Sequence, residues 1–64
     1  MGRIRRGGYL IDWWIGDHTP KHVHVYRDGV LVAKVEIPGL LVLSGTMNRQ
    51  LRKILEQLIE EKLI

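Results

Sequence analysis

His22-Val23-His24-Val25-Tyr26-Arg27-Asp28-Gly29-Val30-Leu31-Val32-Ala33-Lys34-Val35-Glu36-Ile37 is the stretch that decides how this chain folds. Two runs rich in β-branched residues flank Arg27-Asp28-Gly29, and Asp-Gly between such runs signals a hairpin. The register of that hairpin sets which way the histidines point. A two-residue Asp28-Gly29 turn pairs Arg27 with Val30 and puts His22, His24 and Tyr26 on the face of Leu31, Ala33, Val35 and Ile37, burying imidazoles in an apolar row. A three-residue loop, with Gly29 left-handed as a bulge, pairs Tyr26 with Val30 instead. Val23 and Val25 then join Leu31, Ala33, Val35 and Ile37, while His22, His24 and Tyr26 share a face with Val32, Lys34 and Glu36. A slip of one residue exchanges the two faces, and the three-residue loop sorts apolar from polar far better. The three-residue loop is therefore predicted.

Toward the N-terminus, Pro20 restricts Thr19 to extended conformations, so residues 16–21 read as a loop. Tyr9 to Ile15 reads as a strand that stops at Gly16-Asp17, with Tyr9, Ile11, Trp13 and Ile15 as its apolar row and Trp14 beside Asp12. Residues 1–8 read as a basic, flexible leader. Toward the C-terminus, Pro38-Gly39 breaks the second hairpin strand, and Leu40 to Leu43 reads as a short strand ended by Ser44-Gly45. Met47, Leu51, Ile54, Leu55, Leu58, Ile59 and Leu63 recur at three and four, the spacing of an amphipathic helix with Thr46 or Asn48 as N-cap. The expected fold is α+β: a three- to four-stranded antiparallel sheet packed against one C-terminal amphipathic helix, a single small domain over residues 1–64.

A chain of 64 residues buries only about 60% of its unfolded surface. With no cysteine, disulfides and thiolate zinc sites are excluded, which leaves a histidine-held metal or a homo-oligomer as added support. The same composition fits a reducing cytoplasm. Asp12 interrupts an apolar stretch too short for a signal-peptide core or a span, so neither export nor a membrane partner is expected.

Net charge is +3 with a pI near 9.7, gathered in Arg3, Arg5 and Arg6 and again in Arg49, Arg52 and Lys53. The excess favours a polyanion, although solubility alone accounts for an imbalance this modest. In the helix, Arg49, Arg52 and Lys53 crowd the positive end of the dipole while Glu56, Glu60 and Glu61 lie toward the negative end. Pairs of Arg52 and Lys53 with Glu56 offset part of this cost; the other reading is a phosphate site.

His18, His22 and His24 hold the concentrated chemistry. Alternate strand residues project about 6.6 Å apart on one face, so His22 and His24 could share a divalent metal with His18, Asp17 or Asp12 as third ligand. Without any cofactor, His22 and His24, with His18 beside them, could serve as acid and base in RNA cleavage. Tyr26, Lys34, Arg49, Arg52 and Lys53 would then contact the nucleic acid, and the protein would be a ribonuclease. Trp13 or Trp14 could stack on a base, but at least one tryptophan is expected in the core. The plainest alternative is that the histidines brace a loop and the sheet serves as a noncatalytic docking surface.

Gly8-Tyr9, Asp17-His18-Thr19-Pro20-Lys21-His22-Val23-His24-Val25, Asp28-Gly29, Ala33-Lys34 and Asn48-Arg49-Gln50-Leu51-Arg52-Lys53-Ile54 together resemble a family of small prokaryotic proteins, domain of unknown function 4160. The resemblance runs from Gly8 to about Ile59. It implies a small sheet-plus-helix protein of unassigned biochemistry, often encoded beside another small protein. That gene context suggests a toxin-antitoxin component with a cognate protein partner. Two departures stand out: Lys21 replaces a common second proline, and the chain stops at Ile64, before an aromatic tail that often follows the helix.

Overall fold

A computed structural model describes residues 2–13 and 21–64. Five strands, β1 (Gly2–Arg6), β2 (Tyr9–Trp13), β3 (Lys21–Arg27), β4 (Val30–Ile37) and β5 (Leu41–Gly45), precede one helix, α1 (Arg49–Glu60). They form an antiparallel meander in the order β1-β2-β3-β4-β5. The class is α+β as expected, with five strands in place of three or four. The added strand comes from the basic segment read as a loose leader. Gly7 and Gly8 (φ 62 and 85°) make a two-residue turn that pairs Arg6 with Tyr9, the left-handed geometry that suits the twist of a hairpin.

The central hairpin corrects the predicted turn and keeps the predicted faces. Asp28 and Gly29 take φ of 53 and 78°, and Arg27 pairs with Val30 and Tyr26 with Leu31. The loop thus has two residues, not three. A bulge then shifts the register so that Val25 faces Ala33, His24 faces Lys34, Val23 faces Val35 and His22 faces Glu36. The chain combines the favoured Asp-Gly turn with one inserted residue, and apolar sorting still wins. The correction moves two side chains. Leu31, expected in the core row, lies opposite Tyr26 at 48% exposure, while Val32, expected with the polar residues, packs against the core.

The core lies between one sheet face and the helix. Tyr9, Ile11, Val23, Val25, Ala33, Val35 and Ile37 meet Leu51, Ile54, Leu55 and Leu58. Burial of each Val, Leu or Ile there contributes about 1.5–3 kcal/mol. Asn48 caps α1, its side chain accepting from the Leu51 N–H at 2.7 Å. Arg6 donates twice to Glu61, at 2.8 and 3.1 Å, joining β1 to the end of the helix. Among the described residues, no helix is long and apolar enough to cross a membrane.

Candidate functional site

With the helix on one face, strand alternation delivers His22, His24 and Tyr26 to the other, where each is half-buried. Cross-strand register then builds a row across the whole sheet. Arg3 faces Asp12, Asp12 faces His24, His24 faces Lys34 and Lys34 faces Ser44. Directly opposed residues have Cβ atoms about 4.5–5.5 Å apart, so one small ligand spans several of them. On one side of this row lies Arg5-Leu10-Tyr26-Leu31, and on the other His22-Glu36-Leu41.

Asp12 is the hinge of the row. Its side chain is 16% exposed, with one oxygen 3.7 Å from His24 Nδ1 and the other 3.8 Å from Arg3 Nη2. These are ion-pair distances, longer than hydrogen bonds. A carboxylate facing Nδ1 favours the ring orientation in which Nε2 points away to act on a ligand. His24, at 27% side-chain exposure, stays reachable from solvent. The arrangement suits a base or acid flanked by the Lys34 cation, with an aromatic ring one row away.

His22, His24, Tyr26 and Lys34 therefore come together as the sequence suggests. Arg49, Arg52 and Lys53 do not join them. They lie on α1, whose buried side packs on the opposite sheet face, so the sheet separates the two cationic groups. Arg52 instead pairs with Glu56 at 3.9 Å, a local pair that offsets part of its cost near the helix start. His18, Asp17 and Trp14, with the 14–20 segment, lie outside the described residues. Among the described residues, no three histidine, aspartate or glutamate side chains gather closely enough to hold a metal.

Two features escaped the sequence reading. Arg3 joins the row because β1 is a strand; alternation of Arg3, Ile4 and Arg5 before Gly7-Gly8 was the signal. The second is a brace at the start of α1. The buried Tyr9 hydroxyl accepts from Asn48 Nδ2 at 3.1 Å and Arg27 Nη1 at 3.3 Å. The Arg27 guanidinium also sits 5.2 Å from the centre of the Tyr9 ring, a cation-π contact. This brace ties β2 and β3 to the helix and fixes the sheet that carries the row.

A family model described as domain of unknown function (DUF4160) matches residues 8–63, nearly the whole chain. No curated protein and no solved structure matches.

Proposed function

The chain belongs to the DUF4160 family, and from its own geometry we propose that it acts on single-stranded RNA across the outer face of its sheet. The observation that carries this reading is the row Arg3-Asp12-His24-Lys34, a positioned imidazole between a carboxylate and a cation. His24 Nε2 takes the proton of a ribose 2′-hydroxyl, whose oxygen attacks the adjacent phosphorus. Lys34 stabilises the charge that develops on the phosphoryl oxygens. His22, about 6.6 Å along the strand, gives a proton to the departing 5′-oxygen, so the products are a 2′,3′-cyclic phosphate and a 5′-hydroxyl. Tyr26 offers its ring to a neighbouring base.

The helix cations Arg49, Arg52 and Lys53 stay out of this site, since a strand lying on the sheet does not reach them. The basic, cysteine-free composition is consistent with a cytoplasmic protein. The role we propose with it, suggested by the gene context of the family it resembles, is that of one member of a toxin-antitoxin-like pair with a cognate protein partner.

Labelled single-stranded RNA incubated with the purified protein, with and without chelator, tests the reading. The expected result is chelator-resistant cleavage with cyclic-phosphate ends, lost in His24→Ala and reduced in Asp12→Asn. Absence of both cleavage and salt-dependent binding would overturn it.

A further inference from the structure

The two edges of the sheet are built differently. β1 carries Arg3, Arg5 and Arg6 within five residues, and charge on an edge strand discourages pairing with another chain. β5 carries none, and no charged residue lies between Ile37 and Arg49. Among the described residues, five of the six exposed large apolar side chains gather on the β5 side: Leu41 at 57%, Val42 at 37% and Leu43 at 42% exposure, with Val30 and Leu31 at 63% and 48%; the sixth is Leu63. Val30 and Leu31 belong with them because β5 ends at Gly45 opposite Ala33, leaving the start of β4 without a paired strand on that side among the described residues.

We infer that two copies of the chain associate through this edge, β5 pairing antiparallel with the β5 of a second copy about a twofold axis near Leu43. Charge selects the occupant. A charged strand brought against β5 would be desolvated without compensation, and β1 of another copy would bring three arginines and a head-to-tail contact that builds rings or filaments, not a twofold dimer. A second β5 brings the same uncharged leucines and closes as a dimer. Leu43 stands at the middle of the strand and is the residue with no partner on β4, since Ser44 faces Lys34 and Val42 faces Val35.

The area is sufficient for a modest dimer. Strand pairing covers the β5 backbone and parts of the five apolar side chains, about 1,200 Å² for the pair, the lower end for specific interfaces. Geometry adds a consequence. A twofold axis that continues an antiparallel sheet in its own plane stands normal to that plane. Both histidine rows then share one continuous face and both helices the other. The longer RNA surface this creates rests on the functional reading above; the association itself does not.

Sedimentation equilibrium of the full chain from about 5 to about 200 µM tests the inference, since a dimer of this size should form in the micromolar range. The expected result is a monomer-dimer equilibrium. Leu43→Lys and Leu43→Glu should each shift the chain to monomer, because like charges would face each other across the axis. An equimolar mixture of the two should re-form a dimer, a gain that misfolding does not produce. Leu63→Lys, which alters an exposed leucine outside the edge, should leave the equilibrium unchanged. A wild-type monomer at the highest concentration, a Leu43→Lys dimer, a mixture that stays monomeric, or open-ended assembly would each overturn the inference. None of these results depends on RNA, so RNA cleavage and dimer formation fail or succeed separately.

Discussion

Gly29 and Gly45 share the same left-handed backbone, φ 78° at each, but a methyl group added to them would meet different surroundings. At Gly29 nothing lies within 4 Å of the added atom. At Gly45 it would overlap the Val32 carbonyl oxygen and approach the Ala33 Cα to 2.9 Å, and both are backbone. Gly29→Ala therefore carries only the left-handed penalty for an L side chain, about 1–2 kcal/mol. Gly45→Ala carries the same penalty plus displacement of Val32, whose carbonyl accepts from the Thr46 N–H at 3.1 Å as the chain leaves β5 for the helix. Loss or distortion of that hydrogen bond adds about 1–3 kcal/mol. Thermal unfolding followed by circular dichroism, with both variants at the same protein concentration, gives the comparison. At about 4–8 °C per kcal/mol for a domain of this size, the Gly45 variant should melt well below the Gly29 variant. Equal destabilisation, within about 0.5 kcal/mol, would refute the close packing of β5 on β4 at this point.

Asn48→Ala removes both the cap on Leu51 and the donor to Tyr9, and should cost about 1–3 kcal/mol in an unfolding titration; Asn48→Asp, which keeps the capping oxygen, should cost less. Leu55→Ala, in the fully buried centre of the helix contact, should cost about 2–5 kcal/mol, a large share of the stability of so small a domain. The Arg6 hydrogen bonds hold the Glu61 carboxyl below its ordinary value of 4.5, so the pair stabilises the fold above that pH. The contribution disappears as pH falls through the lower folded-state value. Because both groups are exposed, wild type should melt only slightly above Glu61→Gln at neutral pH, and the gap should close in strong acid and at high salt; a gap that persists in acid would contradict the assignment.

The hairpin faces were legible in the sequence because they follow from one constraint, the separation of Val23, Val25, Ala33 and Val35 from His22, His24, Lys34 and Glu36. The means by which the chain meets that constraint was not legible. Turn length and bulge position are two variables, and a two-residue turn with an inserted residue gives the same faces as a three-residue loop. The partners across the sheet differ, however: His24 faces Lys34, not Val32. β1 was hidden because a Gly-Gly pair near a basic end reads equally as a loose terminus and as a turn. Asp12 was visible as an interruption of an apolar strand, but its place opposite His24 depends on the β2–β3 register, which crosses the 14–20 segment and follows no local rule. The helix and its buried stripe of Leu51, Ile54, Leu55 and Leu58 were legible from the apolar spacing, but Met47 and Leu63, read into the same series, lie outside α1. Its cations lie across the sheet from the histidines because that stripe covers the face of Val23, Val25, Ala33 and Val35, a consequence of the apolar sorting that the expectation of a shared phosphate site overlooked.

The most direct measurement of the central claim is a two-dimensional NMR titration of the labelled protein with a short single-stranded RNA at low salt. The outer sheet face predicts shifts concentrated at Asp12, His22, His24, Tyr26 and Lys34, with Arg49, Arg52 and Lys53 left in place. Shifts confined to the helix cations, or none that respond to salt, would contradict it.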